Sequence, residues 1–204
     1  MPREQIAFLD VASFSDGKIL RGGVLVCDLD TEPLEFRCTT PVRPTQLQKI
    51  LWGARLSEHI AANLLGAPLL RALEQEFSLV LVRDADFLEL RERGGVSVPV
   101  VRLTKHGEID FDTDSRNGSK DALSDEDTDT QGEAGETTGP VLLESTSGKF
   151  EPVVVSSHFR FGRDVTEARE ILKPIFATKS IIEPFERIQS ALAAVHEEEA
   201  KKDK

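Results

Sequence analysis

Three apolar runs in this chain end on side chains that can hold a hard cation or move a proton. Ile6 to Leu9 runs into Asp10, Leu79 to Val82 leads through Arg83 to Asp84, and Val153 to Val155 leads to His158. A short continuous apolar run fits a strand covered on both faces. A carboxylate directly behind such a run is costly to bury unless it is paired or binds a metal. The expectation is that the three ends converge on one metal-dependent site. Mg²⁺ takes oxygen ligands and keeps several waters, so two or three carboxylates suffice to hold it. With a pair of such ions about 3.5–4 Å apart, one activates water and the other stabilises a leaving oxygen.

Around these residues stand others with ordinary alternatives. Asp86 could replace Asp84 as a ligand. Glu58, directly after Ser57, would sit in the first turn of a helix, where negative charge is favourable without any catalytic role. Asp28 flanks a hairpin, and His59 is expected on a helix surface. Arg160 and Arg163, close to His158, could meet phosphate or simply be solvated.

The elements that must position them follow in order. A first strand is expected over about Gln5 to Ala12, then a turn at Ser15-Asp16-Gly17-Lys18. Gly22-Gly23 opens a second strand, Val24 to Leu29, and Leu34 to Thr39 alternates like a strand with one wet face. Cys27 and Cys38 then fall on adjacent strands of one hairpin, as buried thiols. Thr45 with Gln48 resembles a capping box for a helix whose apolar side is Leu47, Ile50 and Leu51, broken by Gly53. Ser57 is expected to cap the next helix, with Ile60, Leu64 and Leu65 buried and an interruption at Gly66-Ala67-Pro68. Strands follow over Phe77 to Val82 and Val96 to Leu103, where Pro99 argues for an edge or a bulge. After Val141 to Leu143 and Glu151 to Ser156, Asp164 and Glu167 read as an Asp-x-x-Glu cap for a helix through Leu172. Pro184 starts a last helix with Phe185, Ile188, Leu192 and Val195 at helical spacing.

Composition sets limits on this plan. The chain has 204 residues and a net charge of -11, and the stretch from Asp110 to Glu136 holds ten acids and two bases, so -8 of that charge is local. Residues 105–139 lack apolar periodicity and read as an acidic disordered insertion. It divides one domain into parts at 1–104 and 140–196, followed by a charged tail at 197–204. The remaining charge is nearly neutral and neither favours nor excludes nucleic acid. No apolar run is long enough to span a membrane, and charges at Arg3 and Glu4 leave no signal peptide. With two cysteines and no disulfide framework, a cytoplasmic setting is expected.

A three-strand meander followed by alternating helices and strands is an α/β arrangement of the ribonuclease H-like kind, a mixed sheet flanked by helices. Several segments also resemble one family of that fold. Glu151-Pro152-Val153-Val154-Val155-Ser156-Ser157-His158, followed by Val165-Thr166-Glu167-Ala168, is similar to a Pro-apolar-apolar-Val-Ser-Pro-Gly-His segment and the helix after it in endonuclease V. Ile6 to Val11, Gly23 to Asp30, Leu79 to Asp84 and Ile181 to Arg187 are similar to further stretches of that family. The resemblance implies a metal-dependent nuclease acting on DNA or RNA, with Mg²⁺ or Mn²⁺ on Asp10 and Asp84 and with His158 assisting. The family's Pro-Gly-x-Leu-x-Phe-Arg-Glu segment is not here; Leu65, Gly66 and Ala67 stand where its glutamate would precede Pro68, and Glu58 is the upstream candidate to replace it. The alternative is a non-catalytic module of the same fold that binds nucleic acid, or a protein partner through the acidic insertion.

Overall fold

All five residues from Ile6 to Asp10 are buried, as a strand between two covered faces requires. In the computed structural model, which describes residues 4–107 and 139–202, this strand, β1 (Ile6–Phe14), is internal to a seven-stranded sheet. The other strands are β2 (Ile19–Cys27), β3 (Pro33–Cys38), β4 (Leu79–Val82), β5 (Val100–Lys105), β6 (Val141–Leu143) and β7 (Val153–Ser157). Their order is β3-β2-β1-β4-β5-β7-β6. β1 runs antiparallel to β2 and parallel to β4, β4 is parallel to β5, and β7 is antiparallel to both β5 and β6. This is the mixed, helix-flanked α/β sheet expected from the order of elements.

Side-chain alternation divides the core into two layers. Ile6, Phe8 and Ala12 of β1 pack with Leu172 of α4 (Arg163–Phe176) and with Phe185, Ile188 and Leu192 of α5 (Glu183–Lys202). Ala7 and Leu9 face the other way, toward Leu65, Leu69 and Phe87. That layer is built from α2 (Arg55–His59), a π-helix over Ile60–Gly66, α3 (Ala67–Ala72) and a 3-10 helix over Ala85–Leu90.

Several local expectations are corrected. β2 starts at Ile19, so Gly22 and Gly23 lie inside it rather than before it. A Cβ on Gly22 would stand 2.9 Å from Leu65 Cβ, and one on Gly23 2.9 Å from Ile188 Cγ2. The pair lets helices press on both faces of the strand at one level. Pro99 marks no edge; it precedes β5, an internal strand, and its carbonyl accepts the Val80 N–H at 2.9 Å. Ser57 is inside α2 rather than at its cap. The expected interruption at Gly66-Ala67-Pro68 is a change of winding, since the chain stays helical from Arg55 to Ala72. The wider π turn comes just before Pro68, which has no N–H to donate.

Thr45 and Gln48 do form a capping box on α1 (Gln46–Trp52), and Gly53 ends it with φ 53°. The apolar side of α1 is not buried, however: Leu47, Ile50 and Leu51 are 64%, 68% and 73% exposed. Leu64 is exposed too. Asp164 does not cap α4; its side chain is buried and bonded to Arg91 and to the Val100 N–H. α4 passes Leu172 and carries Pro174 inside it. The segment read as a charged tail continues α5 to Lys202, and Glu199 there pairs with the buried Arg21. Cys27 and Cys38 are free thiols on the neighbouring strands β2 and β3, Cys27 buried as expected but Cys38 only partly so, because β3 is the edge strand of the sheet. The acidic insertion falls almost wholly in 108–138, outside the described residues. Among the described residues, no helix is long and apolar enough to cross a membrane.

Candidate functional site

Asp10 shares its side of β1 with Ile6 and Phe8, so alternation aims it at α5. It is 3% exposed. Gln189 of α5 donates from Nε2 to Asp10 Oδ2 at 2.6 Å and to the Val11 carbonyl at 3.0 Å. Arg83 Nε lies 3.5 Å from the same Oδ2. Burial pushes the Asp10 carboxyl above its ordinary range; Gln189, Arg83 and Val11 pull it down, and Asp84 pushes it up. Desolvation of the charged form therefore outweighs the partners it has found.

The parallel register sets Leu9 beside Val82 and Val82 beside Arg102. Asp10 thus comes level with the end of β4, where Asp84 sits. Asp84 Oδ1 accepts the Asp86 N–H at 2.9 Å and caps the 3-10 helix. An open cleft of about 480 Å³ is lined by Asp10, Val11, Arg83, Asp84, Ala85, Asp86 and Arg102. Three carboxylates and two guanidiniums therefore meet at this end of the sheet. Arg102 Nε donates to the Arg83 carbonyl at 2.9 Å, which ties the two arginine positions together.

His158 is elsewhere. β7 is antiparallel to β5, and Ser157 pairs with Val101 near the start of β5. The end of β7 therefore faces the opposite end of the sheet from the ends of β4 and β5, and His158 does not join Asp10 and Asp84. It is 5% exposed, and its Nδ1 accepts the Arg160 N–H at 3.3 Å. Nε2 lies 3.5 Å from Glu89 Oε1 and 3.5 Å from Glu92 Oε2. Glu58 belongs to this second group: Arg93 Nη2 is 3.7 Å from Glu58 Oε2, and Arg93 Nε is 2.7 Å from Glu89 Oε2. Glu58 does not line the cleft. Arg160 Nη1 reaches Glu92 Oε1 at 2.5 Å. Asp28 accepts the Asp30 and Glu32 N–H groups, both at 3.0 Å, as a turn former does. His59 stacks on Trp52 with ring centroids 4.0 Å apart.

No family model matches this chain, and no curated protein matches it. Solved structures do. Endonuclease V from Streptomyces avermitilis is 14% identical over 98% of this chain and 84% of its own, with a TM-score of 0.54. Endonuclease V from Bacillus subtilis is 14% identical over 98% and 84%, with a TM-score of 0.46. Ciona intestinalis endonuclease V, in complex with a 24mer DNA containing an inosine followed by a ribo-adenosine, is 14% identical over 94% and 87%, with a TM-score of 0.46. The chain has the endonuclease V fold.

On that endonuclease V fold, sequence reasoning overlooked four residues that shape the two groups. Gln189 follows Phe185 by four positions and so shares its buried helix side. A polar residue there was the available signal for a partner to Asp10. Arg83 stands between the apolar run and Asp84, where a single residue reads as a spacer. Glu89 lies in the last turn of the 3-10 helix and Glu92 in the turn just after it, three positions on. Their spacing gave a hint, but their meeting with His158 depends on the direction of β7.

Proposed function

We propose that this chain is a non-catalytic module of endonuclease V-like, ribonuclease H-like fold that binds nucleic acid across the Asp10–Asp84 cleft. The observation that carries the reading is the state of the Asp10 carboxylate. Its Oδ2 faces a Gln189 amide N–H at 2.6 Å and the Arg83 guanidinium at 3.5 Å. A metal ion on that oxygen would have to approach N–H hydrogens that carry positive charge, and the guanidinium already supplies the balancing cation. Oxygen donors suit Mg²⁺ or Mn²⁺ in kind, but in this arrangement Asp10 Oδ2 already faces the Gln189 amide and the Arg83 guanidinium. The one cluster among the described residues in which three His or carboxylate groups offer ligand atoms within 4.8 Å of one another is Glu89, Glu92 and His158, not the cleft. Asp10, Asp84 and His158, with Glu58 as the substitute glutamate, therefore do not assemble a two-metal centre in this reading.

Nucleic acid as the ligand is supported by the fold shared with the Streptomyces avermitilis endonuclease and by Arg83 and Arg102 in the cleft wall, two guanidiniums suited to phosphate oxygens. The test uses labelled single- and double-stranded DNA and RNA, read by fluorescence anisotropy and by gel, with chelator and with millimolar Mg²⁺ or Mn²⁺. The expected result is binding that is indifferent to chelator, falls with salt and weakens in Arg83→Ala and Arg102→Ala, without cleavage. Cleavage that requires the metal and is lost in Asp10→Asn would establish the nuclease reading instead. Absence of binding to every probe would remove nucleic acid as the ligand.

A further inference from the structure

We propose a second, separate site: Glu89, Glu92 and His158 bind one divalent transition-metal ion, with Zn²⁺ as the reference ion. The site lies toward the opposite end of the sheet from the Asp10 cleft and shares no residue with it. Glu89 Oε1, Glu92 Oε2 and His158 Nε2 offer three ligand atoms within 4.8 Å of one another. An acidic cluster alone would carry nothing, but here a buried imidazole is aimed into it. His158 is 5% exposed, and its Nε2 is a buried atom with no hydrogen-bond partner.

The spacing, long for hydrogen bonds, is compatible with a ligand set as well as with the ion pairs His158 makes to both glutamates. Nε2 is 3.5 Å from both carboxylate oxygens. That is beyond the hydrogen-bond range of about 2.7–3.2 Å. Ligands held tetrahedrally at about 2.0–2.1 Å from Zn²⁺ stand about 3.3 Å apart. Small side-chain adjustments bring the three atoms onto the corners of such a polyhedron, with a fourth corner left for water.

The outer contacts are those of a supported site. Each glutamate gives one oxygen to an arginine and turns the other to His158. Glu89 Oε2 lies 2.7 Å from Arg93 Nε as an ion pair without hydrogen-bond geometry, and Glu92 Oε1 accepts a hydrogen bond from Arg160 Nη1 at 2.5 Å. The hydrogen bond to Glu92 is of the kind that orients a ligating carboxylate, and the Arg93 ion pair holds Glu89 by charge alone. The two arginines offset the two glutamates, so a divalent ion arrives at a group that also holds Glu58 beside Arg93. Imidazole with carboxylate favours Zn²⁺ and its neighbours over Mg²⁺ or Ca²⁺, which take oxygen alone.

The proton must be accounted for. Nδ1 accepts the Arg160 N–H at 3.3 Å, so the neutral ring carries its proton on Nε2. On metal binding Nε2 gives its lone pair to the ion and the ring proton shifts to Nδ1, with no net loss. The Arg160 amide contact, already long, is given up. Loading therefore rearranges the 158–160 turn ahead of α4.

The experiment is a calorimetric titration of the full chain, stripped with chelator, with Zn²⁺, alongside Co²⁺ absorption spectra. One equivalent is expected to bind, with a four-coordinate Co²⁺ band and no thiolate charge-transfer band. Glu92 is partly exposed, so Glu92→Gln should fold as wild type by circular dichroism. It should bind at least about tenfold more weakly, since losing a ligand costs no less than losing an outer partner. His158→Gln should do the same, while Asp10→Asn should leave Zn²⁺ affinity unchanged. Failure to bind one equivalent would overturn the proposal. So would affinity unchanged in Glu92→Gln, a thiolate band that vanishes in Cys27→Ser with Cys38→Ser, or binding abolished by Asp10→Asn. None of these outcomes depends on whether the cleft binds nucleic acid.

Discussion

Asp164 offers the sharpest test of how the two halves of the sheet are joined. It is 2% exposed and accepts three hydrogen bonds: Arg91 Nε at 2.7 Å, Arg91 Nη2 at 3.0 Å and the Val100 N–H at 3.1 Å. The first two make a bidentate guanidinium–carboxylate pair. Asp164→Ala strands a guanidinium and a strand N–H. Removing one partner of a buried pair costs about 3–5 kcal/mol. Arg91 keeps its Nη1 bonds to the Val96 and Ser97 carbonyls, both 2.9 Å, and its place 4.7 Å over the Phe161 ring. The lower bound, about 3 kcal/mol, therefore applies. For a domain of this size each kcal/mol moves the melting temperature by about 2–4 °C, so the expected drop is about 6–12 °C. Melting is followed by circular dichroism for wild type, Asp164→Ala, Arg91→Met and the double variant. Because the two residues share the pair, the double variant should lose at least about 1 kcal/mol less than the sum of the singles. A drop under about 2 °C, or full additivity, would refute the reasoning.

Other outcomes follow from the same geometry. Asp10 has its folded pKa raised above the ordinary 3.8 by burial. The folded state therefore holds its proton longer than the unfolded one, and stability falls as pH rises from 3.8 through the folded value. Asp10→Asn, which keeps an oxygen for Gln189, should gain on wild type across that window and hold a constant advantage above it, as read by urea midpoints from pH 3 to 7. Leu47→Glu with Leu51→Glu should leave stability within about 0.5 kcal/mol of wild type, because surface changes away from packed groups cost little; a cooperative loss in chemical denaturation would mean that α1 is packed. The Cys27 thiol is pushed up to about 11, chiefly by burial. At pH 8 iodoacetamide should spare Cys27 in the folded chain and modify it in urea, with the labelled peptide identified by mass.

The parts of the fold that could be read beforehand are those where one local pattern has one structural meaning. The apolar runs of β1 and β4 are long enough, and the Thr45–Gln48 capping box specific enough, to show what they form. Gly22-Gly23 was ambiguous: two glycines signal either a turn or a close approach of neighbours, and only the packing of Leu65 and Ile188 against them decides. Pro99 was ambiguous in the same way, since a proline just before an internal strand looks locally like one on an edge. The apolar side of α1 follows the buried-helix pattern, yet nothing in those seven residues says whether another element will cover it. For the candidate site, the strand ends could be picked out, and Asp10 and Asp84 do line one cleft. What could not be read was direction. The order of apolar runs is the same whether β7 runs with β5 or against it, and that choice sends His158 to Glu89 and Glu92 instead of to Asp10.

The hydrogen bond between Gln189 and Asp10 spans 179 positions of sequence. α5 is 20 residues long, a rod of about 30 Å, and it fastens to the first strands at both ends: Arg187 donates to the Thr31 carbonyl at 2.9 Å, and Glu199 closes on Arg21. During synthesis, β1 and β2 therefore exist before the helix that covers one of their faces. At about 5–20 residues per second, Phe8 and Leu25 wait on the order of ten seconds or more for Phe185 and Ile188. Over that interval Asp10 has no amide to meet, and a nascent chain that stops short of residue 183 keeps an apolar sheet face open to chaperones and to other chains. Such late closure, with contacts this distant in sequence, makes for slow folding, and shortening α5 past Glu199 should lower both the yield during expression and the melting temperature, because the buried Arg21 is left without its partner.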